Sequence, residues 1–291
     1  MALISPDGRF VGTYKARDKE LVIGRRTLVM GIVNVTPDSF SDGGDFFDTE
    51  RAVEHALELS AQGADVIDIG GESTRPGYEP VSDDEEINRV VPVIRELKER
   101  SDVIISCDTS KSKVARAALD AGCHIINDVK ALEDPDMAGV IAEYSAGAVL
   151  MYNRRIDKNK DNGMNTSYQA IEFIKERIKL ALDAGIKEDH IMTDPGIGFG
   201  TTRLEDLALT ASILQLGLNG RFPVLYGVSR KRVAKMLSPD GSGIDNISIG
   251  LALAGVSSGC AMVRVHNVKD TAQALKGYDS SLYAFNGSSN G

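Results

Sequence analysis

The sequence predicts an α/β chain folded as a single (β/α)8 TIM barrel with an N-terminal β-hairpin. Short apolar runs of strand character alternate with amphipathic stretches, the pattern of repeated βα units around a parallel sheet. Eight such runs can be placed, near 28–34, 65–70, 102–108, 123–128, 147–152, 190–194, 222–227 and 260–266. Six of them, at 29–34, 66–70, 103–108, 124–128, 191–194 and 262–266, end in or carry polar residues. Parallel strands deliver such side chains to the mouth of the sheet, where α/β enzymes place their chemistry. An enzyme is therefore expected.

Ahead of the first barrel strand, 9–14 and 20–23 flank a charged turn and read as a hairpin closing the barrel's lower end. Helices fit 49–62, 83–99, 111–121, 134–144, 167–184, 203–217, 245–258 and 268–276. In the first, Ala52, Ala56, Leu59 and Gly63 share a face, and in the second Val90, Val93, Ile94 and Leu97 do. Gly63, Gly122, Gly185 and Gly217 stand just past the periodic residues, where glycine ends helices. The last residues are rich in Ser, Asn and Gly, so a disordered tail is expected over 281–291. With no short repeat and no low-complexity linker inside 28–276, the division is a hairpin extension at 1–27 and one barrel domain at 28–280.

Composition agrees. A chain of 291 residues, 42% hydrophobic, can bury a large core, and one barrel of roughly 250 residues uses most of it. A formal charge of −9 excludes general attraction to nucleic acid or anionic membrane, so any anion must be held by local Arg, Lys and backbone amides. No apolar stretch approaches the roughly 18 residues of a membrane span, and residues 1–24 lack a secretory apolar core. A cytoplasmic protein is expected. Cys107, Cys123 and Cys260 are odd in number, lack paired spacing and lie in or beside strands, which suits reduced, buried thiols.

The first chemical segment, Gly31-Ile-Val-Asn-Val-Thr-Pro-Asp-Ser-Phe-Ser-Asp-Gly-Gly44, leaves a strand at Asn34 and enters a polar loop over the barrel mouth. Asn34 could ligate a hard cation or a phosphate oxygen, or the loop could simply cap itself. The second, Asp68-Ile-Gly-Gly-Glu-Ser-Thr-Arg-Pro-Gly77, sets an Arg among glycines and hydroxyls beside a strand end, an anion site or an exposed turn. Asp108, Asn127 and Asp194 each end a strand. A carboxylate at the bottom of an apolar pocket is costly unless it meets donors, so their convergence implies a ligand rich in N–H groups, such as a guanidine-like heterocycle. A metal site fits less well, because Asn stands where a third carboxylate or His would serve better. The glycines of Asp194-Pro-Gly-Ile-Gly-Phe-Gly200 resemble a nucleotide fingerprint only superficially. Positive charge comes last: Ser229, Arg230, Lys231, Arg264 and His266 lie after strands seven and eight, where these barrels commonly hold phosphate. His124 reads as structural.

In this order, the Gly31–Gly44 segment, Gly70-Gly-Glu-Ser-Thr-Arg-Pro-Gly77, the Asp194–Gly200 segment, Ser229-Arg-Lys231 and Arg264-Val-His266 resemble the signatures of the dihydropteroate synthase family. The resemblance spans about 28–276. It implies a (β/α)8 barrel, a homodimer, and a reaction joining 6-hydroxymethyl-7,8-dihydropterin pyrophosphate to para-aminobenzoate with release of pyrophosphate. By the same resemblance Asp108, Asn127, Asp194 and Lys231 grip the pterin, with Met151 and Gly227 lining its slot. Thr74, Arg75, Arg264 and His266 correspond to the pyrophosphate site, with Asn34 the ligand of Mg2+. Phe40, Pro76, Phe199 and Lys231 fall where the family holds the aminobenzoate. Catalysis would rest on Asp108, Lys231, Arg264 and His266.

Four positions in three motifs depart from the family's pattern. Met151-Tyr152-Asn153 replaces Met-His-Met, Thr201 stands where a Lys commonly follows the glycines, and Val265-His-Asn-Val268 replaces Val-His-Asp-Val. Two other readings stand beside the synthase: a methyltetrahydrofolate-binding methyltransferase, which needs no pyrophosphate cluster, and a pterin-binding paralogue without turnover.

Overall fold

The computed structural model describes residues 3–4, 9–36, 45–72, 80–158 and 165–287. The chain opens with β1 (Leu3–Ile4), β2 (Phe10–Ala16) and β3 (Lys19–Ile23), an antiparallel sheet in the order β1-β2-β3. Alternation governs this hairpin. Tyr14, Ala16, Leu21 and Ile23 are buried, while Lys15, Glu20 and Val22 face out.

Eight parallel strands follow: β4 (Leu28–Asn34), β5 (Val66–Gly70), β6 (Ile104–Asp108), β7 (Ile125–Asp128), β8 (Gly147–Met151), β9 (Ile191–Asp194), β10 (Leu225–Tyr226) and β11 (Met262–Val265). Their order is β10-β11-β4-β5-β6-β7-β8-β9. A parallel bridge between Thr193 and Val224 joins β9 to the approach of β10 and closes the barrel. The helices are α1 (Asp45–Ala61), α2 (Asp83–Arg100), α3 (Ser112–Asp120), α4 (Met137–Glu143), α5 (Thr166–Asp183), α6 (Arg203–Ala211), α7 (Ile213–Leu216), α8 (Arg232–Leu237), α9 (Ile244–Ser257) and α10 (Val268–Gly287). Local chemistry sets several starts. Ser82 Oγ accepts from Glu85 N at the head of α2, Asn165 Oδ1 from Tyr168 N at α5, and Thr202 with Glu205 forms a reciprocal capping box at α6.

Because strand side chains alternate, each barrel strand sends one set outward and one inward. The outward set, including Val33, Ile67, Ile105, Ile126 and Val263, packs with the helices. The lower inward set, including Met30, Val66, Ile125, Val149 and Met192, joins Phe10, Tyr14 and Ile23 of the hairpin in one apolar cluster. The hairpin thus plugs the floor of the barrel. Gly147 makes room for it, since a Cβ there would lie 2.4 Å from the Tyr14 hydroxyl.

Four sequence expectations need correction. The last helix does not stop at 276, nor does a disordered tail begin at 281: α10 runs to Gly287. Buried Asp279 ties it down, accepting from Thr27 N at 2.7 Å and from Arg9 at 3.1 Å. The helix expected at 203–217 is broken at Ser212 into α6 and α7. The strand expected at 222–227 shrinks to two residues, because Pro223 has no N–H to give the ladder. The short α8 is an additional element.

Candidate active site

Counting in twos from the floor identifies what each strand presents at the top. β4 carries Met30, Ile32 and Asn34 inward; β5 carries Val66, Asp68 and Gly70; β6 carries Ile104, Ser106 and Asp108. β7 adds Asn127, β8 Met151, β9 Asp194 and β11 Arg264. One parity therefore brings together residues spread over 230 positions of the chain.

Arg264 is the centre of the cluster. Its Nε donates to Asp68 Oδ2 at 2.6 Å and its Nη2 to Asp108 Oδ2 at 2.8 Å. Asn127 Nδ2 donates to the same Asp68 oxygen at 3.0 Å, and Asp68 Oδ1 is buried with no partner among the described residues. Gly70 and Gly227 keep the space open. A side chain at Gly70 would touch Asp108 Cβ at 3.5 Å, and one at Gly227 would project between Arg264 and Asp194.

Asp194 holds its own exit loop by accepting from Gly196 N at 2.6 Å. Gly196 has φ +68°, and a Cβ there would lie 1.6 Å from the Tyr152 carbonyl, so only glycine fits this turn. The loop delivers Ile197 and Phe199 to Lys231. Lys231 Nζ donates to Ile197 O at 2.6 Å and lies 4.8 Å from the centroid of the Phe199 ring. The preceding Arg230 is in the left-handed region at φ 56° and is held there by a two-pronged ion pair with Asp245. Ser229 links this segment to His266: its Oγ lies 3.0 Å from His266 Nδ1 and accepts from His266 N at 3.3 Å.

Among the described residues, three carboxylates here face two cations. Burial pushes Asp108 up to about 7, outweighing the opposing pull of Arg264. It also raises Asp194, against the pull of Lys231, and lowers the Lys231 ammonium to about 8 in spite of Asp194. Crowded carboxylates short of positive charge favour a ligand that brings N–H donors or develops a cation.

The structure therefore gathers Asp108, Asn127, Asp194, Lys231, Arg264, Met151, Phe199 and Gly227 at the upper end, with His266 on Ser229 beside them. Asn34 ends β4 in register with Gly70, which is in turn in register with Asp108. Phe40, Thr74, Arg75 and Pro76 lie outside the described residues. His124 sits at the opposite end, where its Nδ1 accepts from Ile105 N at 3.0 Å.

The family model described as "Pterin binding enzyme" matches residues 30–266. The chain belongs to the pterin-binding enzyme family. Within it, the chain is 43% identical to the dihydropteroate synthase of Clostridium beijerinckii over 265 residues, 90% of this chain and 97% of that one. Among solved structures it resembles Xanthomonas albilineans dihydropteroate synthase with 4-aminobenzoic acid, at 38% identity and a TM-score of 0.86, covering 93% and 99% of the two chains. The same enzyme in complex with 7,8-dihydropteroate superposes with a TM-score of 0.84 at 37% identity, over 93% and 99%.

Against that pterin-binding family, the four departing residues fall into support positions. Tyr152 is on the outward parity of β8, buried edge-on against Phe173 at 5.5 Å. Asn153 braces its loop, donating to Val129 O and accepting from Arg155 N. Thr201 Oγ1 bonds Asp206, and Asn267 caps α10 by accepting from Asp270 N. Sequence reasoning overlooked Asp68, although the signal was present. A carboxylate inside Val66-Ile-Asp-Ile-Gly70 is as poorly explained by solvation as Arg264 is inside its own strand.

Proposed function

We propose that the chain is a dihydropteroate synthase, joining 6-hydroxymethyl-7,8-dihydropterin pyrophosphate to para-aminobenzoate to give 7,8-dihydropteroate and pyrophosphate. The observation that carries this reading is the buried Asp108–Arg264–Asp68 cluster, closed by Asn127, Asp194 and Lys231. Asp108, Asn127 and Asp194 accept or exchange hydrogen bonds with the N–H-rich edge of the pterin, and Met151 and Gly227 line its slot. The C–O bond to pyrophosphate breaks with the electron pair leaving on oxygen. Positive charge then grows on the exocyclic methylene, where the carboxylates, Asp108 first among them, stabilise it. The arylamine nitrogen forms the new C–N bond and loses its proton to water. A neutral arylamine is already nucleophilic, so no strong base is needed.

Arg264 and His266, with Thr74 and Arg75, receive the pyrophosphate, and Lys231 with Phe199, Phe40 and Pro76 holds the aminobenzoate. Among the described residues no group of three His, Cys, Asp or Glu side chains is assembled to hold a metal alone. Asn34 offers one neutral oxygen at a strand end and would be a protein ligand for Mg2+. Held there, Mg2+ would supply charge neutralisation to the leaving group.

No helix among the described residues is long and apolar enough to cross a membrane. The three cysteines are buried free thiols, which supports a reducing, cytoplasmic setting. Exposed Leu204 and Leu207 on α6 and Leu237 on α8 support the expected homodimer. Light scattering on Leu204→Glu tests that surface, a dimer unaffected by the charge arguing against it.

The deciding experiment is pyrophosphate release from the pterin pyrophosphate with and without para-aminobenzoate. Release that depends on the arylamine is expected. Binding of the pterin without release would favour the non-catalytic paralogue.

A further inference from the structure

The peptide unit joining Ile197 to Gly198 is held at both ends by charge. Its carbonyl accepts from Lys231 Nζ at 2.6 Å, and its N–H donates to Asp206 Oδ1 at 2.8 Å. Asp206 belongs to the first turn of α6, outside every motif that the sequence singled out, and is 1% exposed. The same Oδ1 accepts from Thr201 Oγ1 at 2.6 Å, and the Gly198 N–H also reaches Thr201 Oγ1 at 3.2 Å. Asp206 Oδ2 is buried without a partner among the described residues. Keeping such a carboxylate out of water is costly, and among the described residues its side-chain bonds go to this loop.

The geometry has a direction. An anion sits at the N–H end of the peptide and a cation at the C=O end, so each hydrogen bond polarises the other in a low-dielectric interior. Gly198, at φ +81°, brings the backbone close to the lysine stem: a Cβ there would lie 3.7 Å from Lys231 Cδ. We propose that Asp206 is a positioning residue for Lys231, acting through the Ile197–Gly198 peptide, with Thr201 fixing the carboxylate. Thr201, where the family commonly has Lys, is then one half of a local pair whose other half is Asp206. The functional side of this inference rests on the reading of Lys231 as a substrate contact.

Lys231 is faced by Asp194 from β9, Arg264 from β11, Asp206 from α6 and Asp108 from β6. Burial lowers its ammonium to about 8, and Asp206 opposes that shift. Loss of the Asp206 charge therefore moves the Lys231 titration further down. A residue that merely packs α6 would not do so.

Two variants of the full-length protein separate the parts. Asp206→Ala removes acceptor and charge, whereas Asp206→Asn keeps an acceptor oxygen for Gly198 and Thr201 and removes only the charge. The first measurement is the pH dependence of reductive methylation at Lys231, followed by peptide mass spectrometry on the free protein. The second is kcat and KM for both substrates. In both variants the Lys231 titration should move down. Asp206→Ala should lose about tenfold or more in kcat/KM, as expected for a displaced contact group, and Asp206→Asn should recover most of that loss near neutral pH. Unchanged Lys231 titration in a folded Asp206→Asn protein would overturn the proposal, as would equal kinetic losses in the two variants. If the parent protein releases no pyrophosphate, the reaction assigned above fails. The labelling arm then decides the positioning role alone.

Discussion

The two ends of this barrel are built from the same eight strands and the same inward parity, yet they solve opposite problems. At the floor, Met30, Val66, Ile125, Val149 and Met192 meet Tyr14 and its hairpin neighbours in a dry cluster. Two residues further along the strands, the positions are Ile32, Asp68, Asn127, Met151 and Asp194, with Arg264 spanning Asp68 and Asp108. The floor gains stability from apolar area removed from water. The top gives up some of that gain, keeping, among the described residues, three carboxylates against two cations and Asp68 Oδ1 without a partner. Alternation fixes only which way a side chain points, and height along the strand decides whether it joins the apolar floor or the candidate site.

The sharpest way to break the comparison is to make the floor matter for chemistry. Tyr14→Ala removes a ring that is 1% exposed and seated over Gly147. It should cost about 3–5 kcal/mol of unfolding free energy, the range for deleting a buried aromatic side chain. Denaturant unfolding measures that loss, while kcat measured well below the new melting point should change little. A fall in kcat comparable to the fall in stability would show that the two ends are coupled.

At the top the expected pattern is reversed. Asp108→Asn keeps the shape and an acceptor for Arg264 but removes the charge that the proposed reaction sets against its developing cation. Turnover should fall roughly a hundredfold, about 2.7 kcal/mol in the barrier, as for loss of one preorganised electrostatic group. Stability should be little affected, because the carboxylate is held in a site where burial already disfavours its charge. An unchanged kcat with a raised KM would mean that Asp108 only holds the pterin ring.

The opposed shifts at the top also predict a narrow pH optimum. Asp108, raised to about 7 by burial, is anionic above that value, so kcat/KM should fall as pH drops through it. Lys231, lowered to about 8 by burial, is cationic below that value, so kcat/KM should fall again above it. The rate profile is then a bell between the two, and Asp108→Asn should remove its acid limb. A flat profile across this interval would detach both groups from catalysis.

Much of this contrast was legible in the sequence, and what was not has a physical cause. Strand existence and the polar strand ends follow from local alternation, so β4 matches at both ends and Asp108, Asn127 and Asp194 share one parity at the upper end, whereas Arg264, expected in a separate phosphate cluster, pairs with Asp68 and Asp108. Long-range bonds leave no such trace. The extension of α10 depends on Asp279 reaching Thr27 across 252 positions, and the role of Asp206 depends on a loop that only the fold brings to α6. Asp68 is the intermediate case: its strand and its charge inside an apolar run are legible locally, but its partner Arg264 lies 196 positions away.

The smallest effect concerns Asn267, the departure closest to the proposed pyrophosphate site. The family pattern sets an acidic neighbour beside His266, but the side chain at 267 does other work here. Asn267 Oδ1 accepts from Asp270 N at 3.2 Å, its Nδ2 donates to Asp270 Oδ2 at 2.9 Å, and its carbonyl accepts from Thr271 Oγ1. This is a helix N-cap, a role in which Asn and Asp are nearly equivalent. Meanwhile His266 is fixed by Ser229, a residue of a different strand-end loop. Asn267→Asp keeps the cap and sets a second carboxylate beside Asp270, so activity should change by less than tenfold, under about 1.4 kcal/mol in the barrier. Steady-state kinetics on the two proteins provides the check. An inactive parent that Asn267→Asp restores would show that the acidic group, and not the Ser229 contact, prepares His266 for the pyrophosphate.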